Sequence, residues 1–181
     1  MRRFSLRASH ALAAALLAMV GSIVMASPAS AAAIPTELDT DARVQGCAFT
    51  GCVQDAVLNP RGTDVTTHCR LNSFTAVYTA TGRGGFVRTT SLRDEQVQTL
   101  SCTAAGIFAQ VTPGHGAKMY SCGSTNCVDI GDIFTNDTVG VFCRLGPTNA
   151  RFFLIFDDNS EDAGFVRAAD LAQNPNVPAC A

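Results

Sequence analysis

The chain has no tryptophan and only two tyrosines, Tyr78 and Tyr120, in 181 residues. A groove that grips proline-rich peptides is built from stacked aromatic rings matched to a polyproline helix, so that mode of recognition lacks its material. Clusters of lysine and arginine are missing as well, and phosphate backbones need them. Nucleic acid is therefore not expected as a partner. No Gly-x-Ser-x-Gly signature is present, and the histidines are only His10, His68 and His115. With no activated nucleophile and little imidazole for proton transfer, neither catalysis nor a cofactor is expected.

The N-terminus reads as an export signal over residues 1–31. Arg2, Arg3 and Arg7 form a basic start, residues 11–26 are apolar, and Ala29-Ser30-Ala31 is a small-x-small cleavage site. The apolar run is short and ends at a processing site, so no membrane span is expected in the mature chain. Arg2-Arg3 hints at a twin-arginine signal, but the residues that follow fit general secretion better. Cleavage removes three arginines and no acids, leaving ten Lys+Arg against 15 Asp+Glu and a net charge near -5. A secreted protein, in the medium or at the cell envelope, is expected.

Eight cysteines lie in the mature part, and their spacing carries the organisation. An even number in an exported chain points to disulfides. The shortest spacing leaves four intervening residues, unlike the Cys-x-x-Cys of zinc sites, so no metal is expected. Cys47 and Cys52 match Cys122 and Cys127; Cys69-Arg70-Leu71 matches Cys143-Arg144-Leu145; Gly85-Phe86-Val87-Arg88 recurs as Gly164-Phe165-Val166-Arg167; Cys102 matches Cys180. The offset stays between 74 and 79 residues, with one jump before the Gly-Phe-Val-Arg landmark. This is an internal duplication, with repeats at residues 43–102 and 117–181, a leader at 32–42 and a linker at 103–116. Identical pairing inside each repeat leaves three schemes. Short loops close locally, so Cys47–Cys52 and Cys122–Cys127 are expected, with Cys69–Cys102 and Cys143–Cys180 tying a central strand to the tail.

Each repeat of about sixty residues is at the size where one core is marginal and staples are common. Val65, Thr67, Cys69 and Leu71 alternate along the chain, as do Val139, Val141, Cys143 and Leu145, which is the period of a strand. Residues 74–79, residues 151–156 and the Gly-Phe-Val-Arg segments supply further strands. Turns are marked by Asn59-Pro60-Arg61-Gly62, Thr135-Asn136-Asp137 and Gly82-Arg83-Gly84-Gly85. No stretch of the mature chain has a helical period. The expected class is all-β.

A strand ending at Cys-Arg-Leu, a hairpin, and then Gly-aromatic-Val leading to Leu92 or Leu171 is similar to the bacterial SH3-like (SH3b) domain. The resemblance implies two small SH3-like β-barrels in tandem, disulfide-stapled, acting as a binding or accessory module of the cell wall. Phenylalanine stands in both copies where that family usually has tryptophan, so its ligand does not carry over. On this reading the ligand-facing residues are Phe86, Arg88, Phe165, Arg167, Tyr78 and Tyr120, and the partner is a wall polymer, a wall peptide or an extracellular protein. An alternative is a secreted inhibitor or effector that docks one protein partner through exposed loops, such as the acidic turn Asp157-Asp158-Asn159-Ser160-Glu161-Asp162. That turn departs from a calcium loop, having Asp162 and Ala168 where Gly and Glu are required, and reads as a solvated hairpin. His68 takes the place of Phe142 in the repeat and reads as a strand position rather than a catalytic base.

Overall fold

The computed structural model describes residues 33–94, 100–146 and 152–181; the expected export signal lies outside them. Among the described residues ten strands form two antiparallel sheets. The first joins β1 (Ile34–Glu37), β2 (Asp64–Leu71), β3 (Phe74–Thr79) and β4 (Gly84–Arg88) in chain order. The second holds β5 (Ile107–Gln110), β6 (Ala117–Tyr120), β7 (Asp129–Ile133), β8 (Thr138–Leu145), β9 (Phe152–Asp157) and β10 (Asp162–Arg167), in the order β5-β8-β9-β10-β6-β7. Helix is limited to three single 3-10 turns among the described residues, and none there is long and apolar enough to cross a membrane. The chain is all-β and stapled by four disulfides, Cys47–Cys52, Cys69–Cys102, Cys122–Cys127 and Cys143–Cys180. Strand pairing runs from edge to edge, so neither sheet closes on itself as a barrel; isolated bridges Leu38–Leu92 and Val111–Leu171 reach across each open side.

Two stretches expected to connect rather than fold are strands. β1 lies in the leader and β5 in the linker, and they are counterparts: Ile34 stands opposite Thr67 on β2, and Ile107 opposite Val141 on β8. Both work as the edge strand of their sheet. Their shared signal, an Ile followed four residues later by Leu38 or Val111, is too short to stand out from a background of small residues.

The correspondence extends to local irregularities. β2 is bulged between Thr67 and Cys69, and β8 between Val141 and Cys143. A bulge adds a residue and turns two successive side chains to one side. His68 and Cys69 are thus both buried, as are Phe142 and Cys143, where strict alternation would have exposed one of each pair. Each bulge sets its cysteine against the tail beyond the last strand, which runs parallel to the central strand at Arg70–Ser101 and at Arg144–Ala179.

The two sheets meet through reciprocal contacts. The Gly84 amide donates to the Ser121 carbonyl at 2.9 Å, and the counterpart of Gly84, Ala163, donates to the counterpart of Ser121, Gly46, at 2.6 Å. Cys47 bridges Asp162, and Cys122 bridges Arg83. Phe86 meets Phe156 edge to face at 6.1 Å, and Tyr78 meets Phe165 in the same way at 6.1 Å. His68 and Phe142, equivalent to each other, stack at 5.2 Å with planes 4° apart. When i touches j and the equivalent of j touches the equivalent of i, the relation is an isologous two-fold. The pseudo-axis passes beside His68 and Phe142. Around it lies one shared cluster that draws Phe74, Phe86, Phe142, Phe152, Phe156 and Phe165 from both repeats. Each repeat adds a private cluster, around Val44 and Val77 in the first and around Ile133 and Ile155 in the second.

Candidate functional site

The six residues expected to face a ligand divide between interior and surface. Phe86 and Phe165 are 0 % exposed and sit in the shared cluster. This corrects the expectation that they face a ligand. In a strand that closes against a second sheet, the side chain after Gly85 or Gly164 has to fill the core, and each ring fills it against the other repeat. Tyr78 is partly buried, with its ring edge on Phe165, and burial raises its phenol pKa. Tyr120 is 9 % exposed and meets Phe152 edge to face at 6.3 Å.

The arginines remain at the surface. Arg167 ends β10, where its backbone turns into the 3-10 segment Ala168–Asp170. That turn places Asp170 beneath the guanidinium: Nε donates to Oδ2 at 2.9 Å and Nη2 to Oδ1 at 2.7 Å. This fork pairing fixes the plane of the group and raises the Arg167 pKa, through the hydrogen bonds first and the carboxylate charge second. Arg167 lines a cleft of about 520 Å³ together with Phe152, Ser124 and Thr125. The loop carrying Ser124 and Thr125 is closed by Cys122–Cys127 and by the Ser124 amide donating to the Cys122 carbonyl at 2.8 Å. A fixed cation, two hydroxyls and an apolar wall suit a polar ligand with both hydrogen-bonding and apolar faces.

The first repeat varies the same corner. Arg88 ends β4 with its guanidinium 5.6 Å from the centre of the Phe74 ring, and Ser91 stands where Asp170 stands in the second repeat. Gln45 replaces Tyr120 and donates to the carbonyls of Cys47 and Phe49, holding the small disulfide loop so that Phe49 is 55 % exposed. One corner is pre-paired and lined by hydroxyls; the other is aromatic and has no carboxylate at the matching position.

Other polar groups have structural duties. His68 is 2 % exposed on the pseudo-axis, and burial holds its pKa down to about 4. His115 is exposed in the turn before β6. In the acidic turn, Asp157 is 0 % exposed and accepts from the Asn159 amide and the Ser160 hydroxyl, as a turn-capping carboxylate does. Asp162 is half-buried at the contact with Cys47, and its pKa is pushed up to about 6 by burial first, with the charges of Asp157 and Glu161 adding to it. Among the described residues no group of three or more potential metal ligands assembles.

One buried pair had no warning in the sequence. Arg83 Nε lies 3.3 Å from Asp55 Oδ2, at ion-pair distance but without hydrogen-bond alignment, and Arg83 Nη1 reaches Cys127 Sγ of the other repeat at 3.4 Å. Asp55 falls in an irregular stretch with no period to mark it as inward, so only the fold brings the two together.

No family model matches the chain, and no curated protein does. A solved structure with some likeness is NlpC2 from Trichomonas vaginalis, 15 % identical with a TM-score of 0.33, the match covering 80 % of this chain and 49 % of that one. The chain spans about half the length of that protein, and a likeness at this level assigns neither family nor activity.

Proposed function

We propose that the protein is a secreted, non-enzymatic binder made of two SH3-like units, acting at the cell envelope on a wall polymer or its peptides. The carrying observation is the duplicated corner at the ends of β4 and β10, where Arg88 and Arg167 stand beside Phe74 and Phe152. On this reading residues 1–31 are the export signal, and β1 and β5 extend the units 43–102 and 117–181 on their N-terminal sides. What supports the SH3-like comparison is that the bridges Leu38–Leu92 and Val111–Leu171 link the chain after β1 to the chain after β4, and the chain after β5 to the chain after β10. Two weak corners on one chain gain effective concentration on a repetitive target, which is what a wall polymer offers.

The test is co-sedimentation of the oxidised mature protein with purified peptidoglycan, with and without its attached anionic polymers. The wild type should pellet, and Arg167→Ala together with Arg88→Ala should pellet about tenfold less at equal protein, the loss of a charge-assisted contact at each corner. Absence of pelleting by the wild type would overturn the reading. A second reading, docking to a protein through exposed loops, is favoured by Phe134, which is 72 % exposed in the turn after β7. It is separated from the first by a Phe134→Ser variant, which leaves pelleting unchanged if the wall is the target.

A further inference from the structure

A different cleft, of about 410 Å³, opens where the two repeats meet, and neither arginine corner contributes to it. Its walls come from four segments of chain: Phe108 on β5, Asn136 and Asp137 in the turn before β8, Asp158 and Asn159 in the β9–β10 turn, and the tail of the first repeat at Cys102 and Thr103. The charge is of one sign. Asp137 and Asp158 form no ion pair among the described residues, whereas the adjacent Asp157 has hydrogen-bond partners. Asp137 Oδ2 is shielded from solvent and has no hydrogen-bond partner. Phe108 is 46 % exposed at the rim.

The pseudo-two-fold supplies an internal comparison. The equivalent space in the first repeat has a volume of about 190 Å³, and there Thr66 donates its hydroxyl to the carbonyl of Ala181. In that copy Pro35 replaces Phe108, Thr63 replaces Asp137 and Ala80 replaces Asp158, at positions fixed by the shared strand register. That space keeps one carboxylate of its own, Asp64 in place of Thr138, and the ring of Tyr78 in place of Phe156, so it has one acid where the second repeat has two and lacks the exposed ring of Phe108. Packing of the fold does not require Phe108, Asp137 and Asp158, and their presence together around one open cavity asks for a ligand.

We infer that this junction cleft binds a cationic group on a peptide, a lysine ammonium or an arginine guanidinium, held by Asp137 and Asp158 beside the ring of Phe108. Carboxylates give charge-assisted hydrogen bonds, the amide oxygens of Asn136 and Asn159 offer further acceptors, and an aromatic ring attracts an organic cation through its quadrupole. The exposed ring of Phe108 at the rim favours an organic cation over a metal ion. This site is independent of the wall-binding reading: pelleting can fail while the cleft binds, and the reverse.

The experiment is an amide chemical-shift titration of the isotopically labelled, oxidised mature protein with tetralysine amide, with tetraglutamate as the control, in buffered physiological salt. Saturable shifts are expected at Phe108, Asp137, Gly140 and Asn159, and none around Pro35 and Ala80. The double variant Asp137→Asn/Asp158→Asn should bind about tenfold more weakly or worse while keeping its dispersed spectrum. If that variant loses its dispersion, Phe108→Leu carries the test and should weaken binding several-fold, since the cation–ring attraction is worth about 0.5–1 kcal/mol at an exposed site. Shifts that fail to saturate, that spread over the acidic surface, or that are unchanged in the variants overturn the inference. So does calcium chloride shifting the same residues with tetralysine amide unable to displace it.

Discussion

Truncating Phe165 to alanine should lower the melting temperature of the whole molecule in one step, rather than unfold the second repeat and leave the first standing. The ring is 0 % exposed, lies in the cluster common to both repeats and touches Tyr78 of the other one. Burial of a ring of this size removes roughly 150–250 Å² from water, about 4–6 kcal/mol of transfer free energy, and phenylalanine-to-alanine changes in cores cost about 3–5 kcal/mol after partial collapse. At about 2–4 °C per kcal/mol for a chain of this length, the expected drop is roughly 6–20 °C. Differential scanning calorimetry of wild type and variant reads it directly. In both proteins the calorimetric and van't Hoff enthalpies should agree, because neither repeat keeps a complete core after the other has melted. Two resolved transitions in the variant, with only one displaced, would refute this, since private clusters alone would then suffice for each repeat.

Other perturbations separate the remaining contributions. Replacing the Cys69–Cys102 pair by serines should cost about 4 kcal/mol in chemical denaturation and the Cys47–Cys52 pair about 2 kcal/mol, because the loops they close span 33 and 5 residues; equal losses would contradict the loop-entropy account. Arg83→Met should cost about 3–5 kcal/mol by leaving Asp55 charged and buried, and Asp55→Leu on the same background should recover much of it. Two acid-range effects oppose each other. His68 has a folded pKa lowered from 6.5 to about 4, so it stays neutral when the unfolded chain protonates; its contribution is whole above pH 6.5 and is lost as pH falls toward 4, up to about 3 kcal/mol. Asp162 has a folded pKa raised from 3.8 to about 6, so it destabilises the fold above pH 6 and that penalty, which solvent screening of a half-buried group keeps smaller than the His68 effect, vanishes as pH falls to 4. Stability between pH 6 and 4 should therefore fall only in part in the wild type, rise on acidification in His68→Phe and fall most steeply in Asp162→Asn; denaturant midpoints across that range check all three.

The sequence makes legible whatever repeats. Cysteine spacing, the Cys-Arg-Leu and Gly-Phe-Val-Arg landmarks and the alternation around Cys69 and Cys143 together give the all-β class and the disulfide scheme, because staples and strand periods are local properties. β1 and β5 stay hidden since an edge strand with one inward row needs few apolar residues, and Ile34 with Leu38 is too little to detect. Phe86 and Phe165 are misjudged for a different reason. A repeat compared with itself shows which positions correspond and is silent on whether they touch, so rings that look available in one unit are consumed by the other. The corner at Arg167 is half legible: the arginine recurs in the sequence, while Asp170 beneath it and the disulfide loop beside it come together only through the turn after β10.

Duplicated domains are often pictured as beads in file, each pointing the same way along a target. Here the reciprocal contacts of Gly84 with Ser121 and of Ala163 with Gly46 set one copy half a turn from the other. If the corners bind a polymer as proposed above, equivalent corners read its direction in opposite senses. A polymer with distinct ends, running past both arginine corners, presents its forward sequence to one and its reverse to the other, so a single strand satisfies only one of them fully. Two antiparallel strands satisfy both, which makes the molecule better suited to clasping neighbouring chains together than to tracking along one.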